Sequence, residues 1–175
     1  IATPRRPWLD ELAAGYDLLE LPQRRDDELV LGVVDDPDAQ AQRPVHFRPD
    51  ADGNILFVGA GGSGKSTALR SLALASVQTP RTGPVQVYGI DFTGSGLASL
   101  EVMPNVGSIV PGGDDERVAR LLRMLSTVVN ERADRYGAAN ASSLPEYREL
   151  SGKAREPRIL VLPDGFSAFL EEYAV

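Results

Sequence analysis

At 175 residues, with 42% hydrophobic and 25% charged side chains, the chain has the size and composition of one globular domain with a real core, not of two. Its formal net charge of −7, with only two lysines (Lys65 and Lys153), argues against a long nucleic-acid surface, which needs clustered cations. The absence of cysteine excludes disulfides and thiolate chemistry, the lone His46 has no second histidine with which to share a metal, and neither a membrane-length apolar run nor a signal peptide is visible.

Residues 1–27 read as a linker or docking segment. Pro4, Pro7 and Pro22 interrupt it, a short helix is expected over 9–14, and Trp8 is placed to pin it onto the domain. The pairs Arg5-Arg6 and Arg24-Arg25 are expected to be solvated linker charge. An opening Ile1 in place of Met is expected of a fragment of a larger protein. From residue 28 the pattern changes, and 28–175 reads as one domain. Residues 29–34 form an apolar run closed by Asp35-Asp36-Pro37, and 44–48 are its expected antiparallel partner, a small N-terminal β-hairpin.

Next comes Gly59-Ala60-Gly61-Gly62-Ser63-Gly64-Lys65-Ser66-Thr67, which satisfies the phosphate-loop pattern G-x-x-x-x-G-K-[ST] in full. Glycines let successive N–H groups turn inward around a triphosphate, Lys65 brings a point charge to the β- and γ-phosphates, and the Ser66 hydroxyl suits Mg²⁺. The bland alternative is a Gly-rich turn, so the flanks decide. Residues 54–58 are a short apolar run that predicts a buried strand, and Ala68, Leu69, Leu72, Ala73 and Val77 recur at helical spacing until Thr79-Pro80. Strand, loop and helix in this order aim a helix N-terminus at phosphates.

Residues 85–91 predict a second core strand, making a parallel, right-handed strand–helix–strand unit with 54–58. Gly94-Ser95-Gly96 opens a short helix over 97–100, and 106–110 is a short strand ended by Pro111-Gly112-Gly113. Asp114-Asp115-Glu116 starts a long helix with Val118, Leu121, Leu122, Leu125, Val128 and Val129 on one face and Gly137 as its end. A short helix over 143–150 stops at Ser151-Gly152, residues 158–162 form a third buried strand, and 166–173 return to helix. The alternation predicts an α/β fold, a three-layer α/β/α sandwich with a mostly parallel central sheet.

P-loop enzymes commonly set an acidic residue at the end of a neighbouring buried strand to hold Mg²⁺ through water, and Asp164 meets that description. An ordinary strand-to-loop aspartate beside Pro163 and Gly165 is the competing reading. Many motor ATPases place glutamate next to polarise the attacking water; this chain has Gly165, which cannot accept a proton, and Pro163 removes an N–H that should perturb the strand end. Asp91 is the other acidic residue at a core strand end, either a catalytic base or a turn-forming aspartate before Gly94. No N-K-x-D element supports a GTPase, and Leu150-Ser151-Gly152-Lys153 lies too close to Asp164 to be a transporter signature.

Beyond the loop, the chain resembles the FtsK/SpoIIIE family of ATPases, particularly its EccC-like branch in type VII secretion. The residues that carry the likeness are Leu31-Gly32-Val33-Val34-Asp35-Asp36-Pro37, the loop with its flanks, Tyr88-Gly89-Ile90-Asp91-Phe92-Thr93-Gly94-Ser95-Gly96-Leu97 with Leu100, Met103-Pro104-Asn105-Val106-Gly107, Asn130-Glu131-Arg132 and Leu144-Pro145-Glu146-Tyr147-Arg148. The resemblance implies a RecA-like domain, one of several in tandem on a membrane-anchored bacterial protein working as a hexamer, with this piece on the cytoplasmic side and not itself touching the membrane. It implies ATP and Mg²⁺ at Gly59, Gly61, Gly62, Ser63, Gly64, Lys65, Ser66 and Thr67, with Asp164 on the Mg²⁺ side and Gly165 where the glutamate usually stands. It also implies sister ATPase domains as partners and small helical-hairpin proteins as secreted substrates. Later modules of that branch bind ATP in a regulatory or structural way, and this chain looks like one, ending soon after Asp164 without the family's final strands. The expectation is an ATP-binding module that hydrolyses weakly or not at all. Alternatives are a DNA translocase of the same family, disfavoured by the acidic balance, and a non-catalytic docking module with a vestigial loop.

Overall fold

A computed structural model describes residues 9–22, 25–78, 83–94 and 96–173. The hairpin forms as its apolar pattern predicts: β1 (Leu29–Asp36) pairs antiparallel with β2 (Ala41–Phe47) from Leu29↔Phe47 to Asp36↔Ala41, with one irregularity between Val30 and Gly32. A single helical turn, α1 (Pro49–Asp52), leads to the loop region and α2 (Lys65–Val77). Then come β3 (Val85–Asp91), a 3₁₀ turn (Ala98–Val102), β4 (Val106–Pro111), α3 (Asp115–Ala138), α4 (Leu144–Ser151), β5 (Arg158–Asp164) and α5 (Phe166–Tyr173).

β4, β3 and β5 form a parallel sheet with β3 in the middle. Because side chains alternate along a strand, β3 feeds two cores at once. Val85 and Val87 join Ala73 of α2, Leu97, Leu100, Ile109 and Leu162 on one face. Ile90 joins Val110 with Val118 and Leu121 of α3 on the other, where Phe169 and Tyr173 of α5 also pack. Helices therefore cover both faces, the expected three layers. The hairpin is seated on α2 through Leu29, Val30, Phe47, Leu72 and Ala75, with Leu18 and Leu21 of the preceding segment against the same cluster.

The helix ends are written in short-range chemistry. The Asp114 carboxylate accepts from the Arg117 N–H, Ser143 accepts from the Glu146 N–H, and Gly152 closes α4 in a left-handed conformation. Asn105 joins α2 to β3, its amide donating to Ser76 Oγ at 2.8 Å and to the Val85 carbonyl at 3.2 Å. A buried ion cluster ties distant segments together. Arg158 forks onto Asp50 at 2.9 and 2.6 Å, and Arg148 and Arg158 lie 2.7 and 3.4 Å from Asp26, which is 1% exposed.

Several expectations change. Residues 9–14 are not helical, and Trp8, with Arg5, Arg6 and Arg24, lies outside the described residues. Residues 54–58 run into the loop without pairing to any strand among the described residues, and Leu56 and Val58 stand 64% and 86% exposed. An apolar run reports a tendency to be buried, but a strand also needs a neighbour for its N–H and C=O groups, and among the described residues this segment has none, β4 and β5 each keeping an open outer edge. The strand–helix–strand unit thus starts from an unpaired segment. α3 continues through Gly137 to Ala138, and Val129 on its expected apolar face is exposed.

Pro163 leaves its strand intact. Register with β3 continues through Ile90↔Pro163 to Asp91↔Asp164. Arg158 N–H and the Asp164 carbonyl both bond toward the β3 side, so alternation turns Pro163 to the outer edge of β5, where its missing N–H costs no ladder bond.

Candidate functional site

The 59–67 loop is shaped by backbone that side chains would resist. Gly62 and Gly64 have φ of +76° and +91°, and a Cβ on Gly59 would come within 2.5 Å of Ser63 Oγ. The Ser63 N–H reaches back to the Ala60 carbonyl at 3.3 Å, closing the turn, and Ala68 donates to the Gly64 carbonyl at 2.8 Å, starting α2. No side chain caps that helix. Its first N–H groups, free of a capping side chain and backed by the helix dipole, make a site for an anion. Lys65 Nζ sits inside the curl, donating to the carbonyls of Gly59 at 2.9 Å and Ala60 at 2.8 Å. Thr67 Oγ1 accepts from Arg70 at 3.0 Å.

The parallel register sets Asp91 and Asp164 side by side at the ends of β3 and β5. Both are buried, 7% and 3% exposed. Asp91 is saturated: Oδ1 accepts from the N–H of Thr93 (2.9 Å), its hydroxyl (2.9 Å) and the N–H of Gly94 (3.1 Å), and Oδ2 accepts from the N–H of Leu97 (2.9 Å). Burial alone would raise its pKa, but the bonds from Leu97, Thr93 and Gly94 together outweigh it and hold the carboxyl below its ordinary value. Asp164 is nearly bare by comparison. Its side chain meets the Thr93 hydroxyl at 3.2 Å, and no Lys, Arg or His among the described residues lies within ion-pair distance of it.

Gly96 brings the loop and the sheet ends together. A Cβ there would collide with Asp164 Oδ2, and would lie 2.9 Å from Thr93 Oγ1 and 3.2 Å from Ser66 Oγ. Ser66 and Asp164, far apart in sequence, thus border one cleft. Thr93 and Gly96 belong to a block that the sequence marks as a helix opening and a family likeness, not as part of the site. Its clue was an aspartate followed by threonine and glycines, the pattern of a carboxylate that gathers its own loop's N–H groups.

The position after Asp164 resists side chains. Gly165 has φ +82°, and a Cβ on it would lie 2.8 Å from Phe92 Cβ. Phe92 cannot easily yield, because its ring packs 6.2 Å from both Phe169 and Tyr173 of α5.

The family model described as FtsK/SpoIIIE matches residues 22–160. This chain belongs to the FtsK/SpoIIIE family. Among curated relatives, it is 33% identical over 148 residues to the ESX-4 secretion system protein EccC4 of Mycobacterium tuberculosis, covering 82% of this chain. It is 28% identical over 174 residues to the type VII secretion system protein EssC of Staphylococcus aureus, covering 94% of this chain. The chain spans 12% of the length of each of these relatives. Among solved structures it matches Thermomonospora curvata EccC (ATPases 2 and 3), in complex with a signal sequence peptide, at TM-score 0.74 and 26% identity, over 92% of this chain and 29% of that one. No helix among the described residues is long and apolar enough to cross a membrane.

Proposed function

We propose that this chain is the nucleotide-binding part of an FtsK/SpoIIIE-type ATPase module in a type VII secretion motor, and that it holds Mg-ATP without hydrolysing it efficiently. The observation that carries the reading is the meeting of a complete phosphate loop with the buried, cation-free Asp164 across the cleft at Ser66. A carboxylate 3% exposed with one hydroxyl for company is costly unless a cation comes to it. Among the described residues, no group of three or more His, Cys, Asp or Glu side chains could hold a metal by itself. A cation here must therefore bring ligands from phosphate and water, which suits Mg²⁺.

In this reading the N–H groups of Gly61, Gly62, Ser63 and Gly64 and the first turn of α2 surround the phosphates, aided by Gly59 as the hinge and Thr67 at the helix start. Lys65 exchanges its two loop carbonyls for phosphate oxygens. Ser66 and Asp164 would hold Mg²⁺, which would neutralise phosphate charge. Asp91 serves as the anchor of the 92–97 loop rather than as a base, since its oxygens are already engaged. Gly165 supplies no base. In the whole protein the module would work on the cytoplasmic side of a membrane-anchored, hexameric motor beside sister ATPase domains, handling small helical-hairpin substrates that carry signal sequences.

Equilibrium titration of the chain with a fluorescent, non-hydrolysable ATP analogue tests this. Saturable binding that Lys65→Ala abolishes, with little ATP turnover by the unmodified chain, is expected. The absence of saturable binding would leave a docking module with a vestigial loop, and DNA-stimulated turnover would point to a translocase.

A further inference from the structure

We propose that Thr93 is a positioning residue for Asp164, and that the 92–97 loop, with Gly96 at its closest approach, sets the geometry of the divalent-cation position. The inference rests on the nucleotide-binding reading above and adds to it the residues that aim the cation-side carboxylate.

Asp164 is held from one side, where its Oδ2 contacts the Thr93 hydroxyl at 3.2 Å. Thr93 is itself fixed through its backbone, because its N–H donates to Asp91 Oδ1 at 2.9 Å, while its hydroxyl lies 2.9 Å from Asp91 Oδ1 as well. The loop beyond is fastened at its far end, where the Leu97 N–H donates to Asp91 Oδ2 at 2.9 Å and the Leu97 side chain is fully buried. The hydroxyl thus sits between two carboxylates with one proton to offer. Asp91 keeps three backbone donors without it; Asp164 has no other side-chain donor among its contacts. Removing the hydroxyl should therefore spare the loop and free the Asp164 rotamer.

Gly96 completes the device from the opposite wall. The backbone comes so near Asp164 Oδ2 and Ser66 Oγ that a methyl group would occupy the space between them. Either side of Gly96, Thr93 and Gly94 at one end and Leu97 at the other are bonded to Asp91. Glycine at 96 keeps open the space a cation would need, and threonine at 93 holds the carboxylate facing it.

The test is affinity of the full chain for a fluorescent, non-hydrolysable ATP analogue, measured in Mg²⁺ and again in EDTA. The unmodified chain should bind more tightly in Mg²⁺. Thr93→Val should lose about tenfold in Mg²⁺, the scale of one hydrogen bond to a charged group, and keep its EDTA affinity, staying folded with a lower melting temperature from the bond it also gives Asp91. Thr93→Ser should restore the Mg²⁺ gain, which a merely structural role for the methyl group would not allow. Gly96→Ala, whose Cβ would press on Asp164 Oδ2 and Thr93 Oγ1, should lose the same gain by filling the cleft.

Full retention of the Mg²⁺ gain in Thr93→Val, an equal loss in Mg²⁺ and EDTA, or unfolding of that variant would each overturn the assignment and leave nucleotide binding standing. Binding by the unmodified chain with no Mg²⁺ gain would do the same. No binding by the unmodified chain in either condition would bring down both readings.

Discussion

Asp91 and Asp164 end neighbouring parallel strands, in register and both buried, yet the fold treats them in opposite ways. One carboxylate is filled with donors from its own loop, while the other shares a single hydroxyl with it. The difference lies in the path of the backbone as it leaves each strand. After β3 the chain curls back over Asp91, so that Thr93, Gly94 and Leu97 turn their N–H groups inward. After β5 it passes through Gly165 directly into α5, and no N–H curls back. A carboxylate saturated by its own loop is a structural part. One left short of partners at the mouth of a phosphate loop is, in the proposed reading, where a cation would sit.

That contrast can be broken most forcefully at Asp91. Asp91→Ala strands three backbone donors and should cost about 3–5 kcal/mol, whereas Asp164→Ala, which leaves Thr93 bonded to Asp91, should cost under about 1 kcal/mol. Denaturant unfolding of the two variants checks this, and equal losses would erase the distinction. A smaller effect is expected at the closed end of β5. Gly165→Glu must adopt φ near +82° with its Cβ against Phe92, and should lose about 1–3 kcal/mol without gaining ATP turnover. Restored turnover would show that the position accepts a working base.

The smallest effect is on acid stability. Because the folded-state pKa of Asp91 is depressed, its stabilising contribution is complete above the unfolded-state pKa near about 3.9 and is lost as pH falls through the folded value. Asp91→Asn should therefore flatten the fall in melting temperature below about pH 4. An unchanged acid limb would mean that other carboxylates dominate it.

Much of the fold was legible because its signals are short in range. The hairpin, the strands β3, β4 and β5, and the ends of α3 and α4 follow from apolar runs, capping residues and glycines within a few positions of where they act. Residues 54–58 show the limit of such signals: Ile55, Leu56 and Val58 read as core strand yet are exposed, since pairing depends on a neighbour that no local pattern names. Pro163 shows it again. Whether a missing N–H harms a strand depends on which edge it faces, and that is set by register with β3.

By itself the amino-acid sequence determined the phosphate loop, its helix and the lack of a base after Asp164, because these are fixed by contacts a few residues apart, such as Lys65 with Gly59 and Ala60. Tertiary structure alone decided that Asp91 is spent on its own loop, that Thr93 and Gly96 stand against Asp164, and that a side chain at Gly165 would be strained against Phe92. Those relations join β3 to β5 across a separation of 71 residues from Thr93 to Asp164, and only the parallel pairing of the two strands brings them within hydrogen-bond distance.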